Sequence, residues 1–167
     1  MSTKYVRVVP SSDGAGASLS SEIEHAFERI RERAYAIYDN RMADASNNEY
    51  ENWLQAEREL FEVPEIFVKD EGMSCRIHLE TEAGADRQLT IIVEPSLLTV
   101  LGHRTADGEM ILFRRANLPE PVDPERAESV VRRGSGIEMV IAKRGAPVAE
   151  KLKARAAAVG QEVVGVV

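Results

Sequence analysis

The sequence predicts a mainly β protein with an α appendage: an antiparallel immunoglobulin-like β-sandwich preceded by a helical hairpin. Three observations carry the prediction. Near Pro64 the spacing of apolar residues switches from about 3.6, the helical period, to 2, the strand period. Beyond that point short apolar runs follow one another every ten to fifteen residues or so, with no long helix between them, as in antiparallel sandwiches. Before it, two amphipathic stripes flank the polar stretch Asp44 to Asn48.

The length of 167 residues suits one domain with a smaller appendage. An apolar share of 44% supplies a core. The formal charge of −7 repels phosphate backbones and argues against nucleic-acid partners. It divides as −5 on residues 1–63, −3 on 64–145 and +1 on 146–167, so no segment is a basic patch. No apolar run reaches the roughly eighteen residues of a membrane span, and Met1 to Pro10 lacks the apolar stretch of a signal peptide. The single Cys75 rules out an intramolecular disulfide framework and a multi-cysteine zinc site. A soluble, cytoplasmic protein without membrane partners is expected.

Residues 1–20 are read as a flexible N-terminus, because Ser11 to Ser18 are small or polar and include two glycines. Residues 21–63 form the two-helix unit. Ser21 and Glu24 suit a capping box, and Ile23, Phe27, Ile30, Ala34 and Ile37 mark one face of a helix over about Glu22 to Arg41. Asn48 with Glu51 offers a second cap. Tyr50, Trp53, Leu54, Leu60 and Phe61 then line one side of a second helix, antiparallel to the first.

Residues 64–145 form the sandwich. Cys75, Ile77 and Leu79 alternate with Arg76, His78 and Glu80, and Leu89, Ile91 and Val93 alternate with Thr90, Ile92 and Glu94. Further strands run over Leu97 to Leu101, Met110 to Arg115, Ser129 to Val131 and Ile137 to Ala142. Asp107-Gly108 and Gly134-Ser-Gly136 mark tight turns. Residues 146–167 are a C-terminal extension in which Val148, Leu152 and Val159 can share one face of a short helix, followed by the apolar Val163 to Val167.

Catalytic constellations are missing from this sequence. It has no phosphate-binding glycine loop, no G-x-S-x-G and no H-E-x-x-H, and His25, His78 and His103 fall in three different elements. Cys75 sits on the apolar side of its strand and reads as a small buried hydrophobe. Asp70-Glu71 and Glu80/Glu82 read as a solvated face. Arg114-Arg115 and Arg132-Arg133 suit edge protection and ion pairing better than phosphate binding. The expectation is a protein that is not an enzyme, with no catalytic residues, cofactor or metal.

The strand region also carries motifs. Leu97-Leu98-Thr-Val100-Leu101-Gly102-His-Arg104, then Leu118-Pro119-Glu-Pro-Val122-Asp123, then Gly136-Ile137-Glu-Met139-Val-Ile141-Ala-Lys143 resemble, in order and spacing, three signatures of the small heat-shock protein (α-crystallin) family. The resemblance spans about residues 64–144 and implies an α-crystallin-type sandwich. In that family an arginine at the position of Arg114 faces the dimer partner. The match departs from the family at Gly134-Ser-Gly136-Ile137 and at Ala142. It departs again between Arg104 and Met110, where bacterial and plant members have a long excursion carrying a swapped strand. Five residues stand there, spanning at most about 18 Å, and they form one turn.

The helical unit has a resemblance of its own. Arg33-Ala34-Tyr35 followed by Trp53-Leu54-Gln55-Ala56-Glu57-Arg58-Glu59-Leu60 is similar to a short bacterial two-helix domain family of unknown function. Tyr35, Trp53 and Leu60 are expected to pack the hairpin, with Glu57 paired to Arg31 or Arg33.

Taken together, the resemblance implies an ATP-independent chaperone of the stress response, a holdase that captures unfolded or misfolded clients by apolar burial and assembles as a homodimer or larger homo-oligomer. Leu89, Ile91, Val93, Val130 and Val131 would line its client and partner groove. Val164 and Val166 would be a C-terminal anchor docking in the groove of a neighbour. The alternative is an interaction or scaffold module built from the same sandwich and hairpin.

Overall fold

The structure, a computed structural model, describes residues 5–11 and 16–147, apart from the side chains at 16–18, 128–129 and 131–133. In chain order the elements are β1 (Val6–Pro10), α1 (Gly16–Asn40), α2 (Glu49–Leu60), β2 (Ile66–Asp70), β3 (Ser74–Leu79), β4 (Arg87–Val93), β5 (Leu97–Arg104), β6 (Met110–Asn117), β7 (Val122–Arg133) and β8 (Gly136–Lys143). They form a β-sandwich with a helical segment. Sheet A has the order β1-β4-β5-β6 and sheet B the order β2-β3-β8-β7.

Strand alternation builds the core. Cys75, Ile77 and Leu79 of β3, Leu89, Ile91 and Val93 of β4, and Met139 and Ile141 of β8 fill the space between the sheets, all with at most 1% exposure. Gly102 allows β5 and β6 to close up, since a Cβ there would lie 2.7 Å from the Leu112 Cβ. The Asp107-Gly108 turn forms with Gly108 at φ 72°, and β6 pairs antiparallel with β5 of its own chain. The short connection therefore builds an ordinary hairpin with no strand left over for exchange.

The helices cover the other face of sheet A. Ile92, Leu101 and Phe113 point outward from β4, β5 and β6, and meet Ala26, Ile30 and Ile37 of α1, Ala56 of α2 and Phe61. The stripe predicted on α1 is the buried one. Asn48 caps α2, its side-chain oxygen accepting from the Tyr50 and Glu51 amides.

Several expectations are corrected. Residues 6–10 are strand and 16–20 are helix, where the sequence predicts no element. Helix α1 starts at Gly16 because Leu19 adds a turn to the apolar stripe that packs on the sheet. This leaves Ser21 inside the helix instead of at its cap. Tyr35 does not pack the hairpin; it is 65% exposed, because Ala34 and Ile37 take the buried face. Tyr50 also points to solvent, while Asn52 and Ala56 are the buried residues of α2. The partner of Arg33 is Glu59, at 2.6 Å, and Arg31 pairs with Glu28 within α1. Strand β7 begins at Val122, earlier than its apolar run suggests. The register shift between Val122 and Ala127 spans Pro124, which has no N–H to donate, and a second shift follows between Ala127 and Ser129.

Candidate functional site

Of the predicted groove residues, Leu89, Ile91 and Val93 lie on β4 of sheet A and Val130 on β7 of sheet B. Leu89, Ile91 and Val93 turn into the sandwich, and the edge of β4 beside them carries β1 in parallel, with Val6 opposite Leu89, Val8 opposite Ile91 and Pro10 opposite Val93. Both ends of this pairing are closed: the Leu89 amide donates to the Tyr5 carbonyl at 2.8 Å, and the Ser11 amide to the Val93 carbonyl at 3.0 Å. The half-buried Val6 and Val8 pack on the same core as Val130 of β7. The β4 edge that such a groove would use is thus occupied by the chain's own Val6-Arg7-Val8. The Val131 side chain, Val164 and Val166 lie outside the described residues.

Sequence reasoning missed β1. The available signal was the short alternation Val6-Arg7-Val8, which places two valines on one face and a charge on the other. Next to it a cleft of about 370 Å³ opens between β1 and α1, floored by Val9, Leu19, Ile23, Phe27 and Ile92. Arg115 bounds it, with the guanidinium 5.4 Å from the Phe27 ring centre and 3.9 Å from Glu94. Four segments of the chain supply these residues, so no local motif announces the cleft.

On the opposite edge of sheet A, Glu62 bridges β6 in parallel. Its amide donates to the Ile111 carbonyl at 2.8 Å, and its carbonyl accepts from Phe113 at 3.2 Å. Arg114 stands beside this bridge, against Leu54, Glu57 and Phe61 in a cleft of about 310 Å³, and its Nε is buried without a hydrogen-bond partner. Trp53 and Leu60 pack into the helix–sheet cluster.

A third cleft, of about 500 Å³, collects Glu62, Glu80, Glu82 and Asp86. Arg87 neutralises part of that charge, 2.8 Å from Glu62 and within 3.3 Å of the Thr81 hydroxyl. Among the described residues no three His, Cys, Asp or Glu side chains are placed to hold a metal ion. Burial pushes the Cys75 thiol up from its ordinary range, so the sulfur is a thiol rather than a nucleophilic thiolate. His103 Nε2 lies 2.8 Å from Glu22, linking β5 to α1, and the His78 ring rests 6.4 Å from that of Phe67. No described helix is long and apolar enough to cross a membrane.

No family model matches the chain, and no curated protein does. Solved structures similar to it are heat-shock proteins. They include hspA from Xanthomonas axonopodis, at 20% identity over 52% of this chain and 98% of that one, TM-score 0.41. A small heat-shock protein from Xylella fastidiosa is 18% identical over 52% and 91% of the two chains, TM-score 0.39. Heat shock protein 16.0 from Schizosaccharomyces pombe is 13% identical over 52% and 92%, TM-score 0.40.

Proposed function

We propose that the chain is a small heat-shock-type holdase whose capture groove is closed in cis by β1. The observation that carries this reading is the pairing of Val6 and Val8 with Leu89 and Ile91 on the β4 edge. Strand β1 is a five-residue strand at the edge of sheet A that inserts the half-buried Val6 and Val8 on one face and Val9 on the other. Its departure would open a slot lined by Leu89, Ile91, Val93 and Val130 to an extended apolar segment of a client. Val164-Gly-Val166 repeats the Val-x-Val spacing and would compete for the same slot on a neighbouring copy. Burial of about 500 Å² at roughly 25 cal/mol/Å² gives on the order of 12 kcal/mol gross, much of it offset by ordering, so capture is reversible.

Aggregation of a heat-denatured client is the test, with the full chain compared to a Val6→Asp/Val8→Asp variant. The variant should suppress aggregation at a lower subunit ratio than the wild type. If neither suppresses at equimolar ratio and light scattering finds only monomer, the holdase reading fails.

One observation favours the alternative, a dedicated interaction module. Tyr35, Tyr38, Met42 and Tyr50 are exposed on the hairpin, while β1 occupies the β4 edge of sheet A and Glu62 bridges β6. In that case client suppression is absent, and a Tyr35→Ser/Tyr50→Ser variant alone loses partner binding.

A further inference from the structure

Strand β1 covers one edge of sheet A and the Glu62 bridge covers β6 at residues 111–113, whereas β2 stands at an edge of sheet B with no described strand on its outer side. This β2 edge has a composition that can be tested against itself. The β2–β3 ladder fixes which groups face outward. The Glu80 amide donates to the Glu65 carbonyl at 3.0 Å, and the Glu71 amide to the Ser74 carbonyl at 2.9 Å. Residues 65, 67, 69 and 71 therefore bond to β3, and the N–H and C=O groups of Ile66 and Val68 point away from it. No described strand lies beyond them.

The side chains along this edge form a self-complementary series, Glu65-Ile66-Phe67-Val68-Lys69. Phe67 is 51% exposed and Lys69 is also exposed. A second copy laid antiparallel about a two-fold axis at Phe67 sets Ile66 against Val68, Phe67 against Phe67, and Glu65 against Lys69 on both sides of the axis. Every outward backbone group at 66 and 68 then finds a partner, in about four hydrogen bonds. Moving the axis to Val68 would oppose Phe67 to Lys69 and Ile66 to Asp70, which loses both ion pairs and sets a carboxylate against an apolar side chain.

We infer that β2 is a homotypic interface, where two copies join their B sheets edge to edge through this palindromic charge pattern around Phe67. The occupant is a second copy because an unrelated strand would meet Glu65 and Lys69 without matching charges. So short a ladder covers less than the roughly 1,200 Å² of a lasting dimer, so the association is weak and concentration-dependent. This inference is independent of the chaperone reading, since it uses neither the β4 groove nor residues 148–167.

Sedimentation velocity on the full chain, up to about 1 mM subunits, should show a monomer–dimer equilibrium. Lys69→Glu opposes like charges twice and should weaken it about tenfold; Glu65→Lys should do the same, and the double swap should restore it. Phe67→Cys gives a register-specific readout, because directly opposed residues at a non-hydrogen-bonded antiparallel site have disulfide geometry. Mild oxidation should link that variant, while Met42→Cys, at a more exposed position on the hairpin, should stay monomeric; the buried Cys75 does not compete. A wild type that remains monomeric, a dimer indifferent to Lys69→Glu, or equal cross-linking at positions 42 and 67 would overturn the assignment.

Discussion

Phe27 of α1 meets Phe113 of β6 edge to face, with ring centres 5.4 Å apart and planes at 84°. Phe61, just after α2, approaches the same ring at 5.8 Å. One side chain of sheet A is thus held by the middle of α1 and by the residue that closes α2.

Replacing Phe113 by Ala should cost about 3–5 kcal/mol, since the ring is 2% exposed and its cavity would be bounded by two separate elements. Helix and sheet should melt together in the wild type. In the variant, far-ultraviolet circular dichroism and Trp53 fluorescence should report transitions at lower temperature, with the helical signal lost first.

Val8→Asp places a carboxylate against Ile91 and should detach β1 without unfolding the sandwich. The Leu89 amide, which donates to Tyr5, should then exchange at least about tenfold faster. Amides of β3 and β8 should keep their protection. Unchanged exchange at Leu89 would show that β1 is not held by its valines.

At Gly136 an added Cβ would come within 2.6 Å of the Leu79 carbonyl oxygen and 2.6 Å of His78 Cε1. The imidazole can swing away, whereas the backbone oxygen is fixed by the β3–β8 ladder. Gly136→Ala should therefore cost about 1–3 kcal/mol, measured by denaturant unfolding with an unchanged m-value.

Lys143 reaches Asp70 at 2.8 Å and Glu120 at 3.0 Å. Its hydrogen bond, with the Gly72 amide second, holds the Asp70 carboxyl below its ordinary 3.8. Stability from Asp70 is thus present above that ordinary value and lost as pH falls through the lower folded one. The Asp70 and Glu120 carboxylates also raise the Lys143 ammonium above 10.5, so its contribution is complete below 10.5 and lost at higher alkaline pH. In Lys143→Gln the Asp70 carboxyl, followed by NMR titration, should move up towards 3.8, and the alkaline loss should disappear.

Much of this architecture is legible in the sequence because local periodicity decides it. Cys75-Ile77-Leu79 and Leu89-Ile91-Val93 alternate cleanly, Asp107-Gly108 turns tightly, and Asn48 caps its helix. What escaped depends on distant partners. Val6-Arg7-Val8 is too short to stand as a strand until β4 lies beside it. The start of α1 is set by Leu19 finding the sheet, against the small polar residues before it. Tyr35 and Ile37 are both apolar enough to pack a hairpin, and only the position of sheet A decides that Ile37 is covered and Tyr35 is left in solvent.

Residues 5–11 and 16–63 have a topological consequence. The segment crosses one edge of sheet A as β1, lies over its face as two helices, and crosses the other edge at Glu62. It is a belt around a sheet, buckled at both ends by parallel pairing. Cutting the belt away would bare two strand edges and the Ile92-Leu101-Phe113 surface in one stroke, so a sandwich expressed from Pro64 onward would be left sticky on three sides.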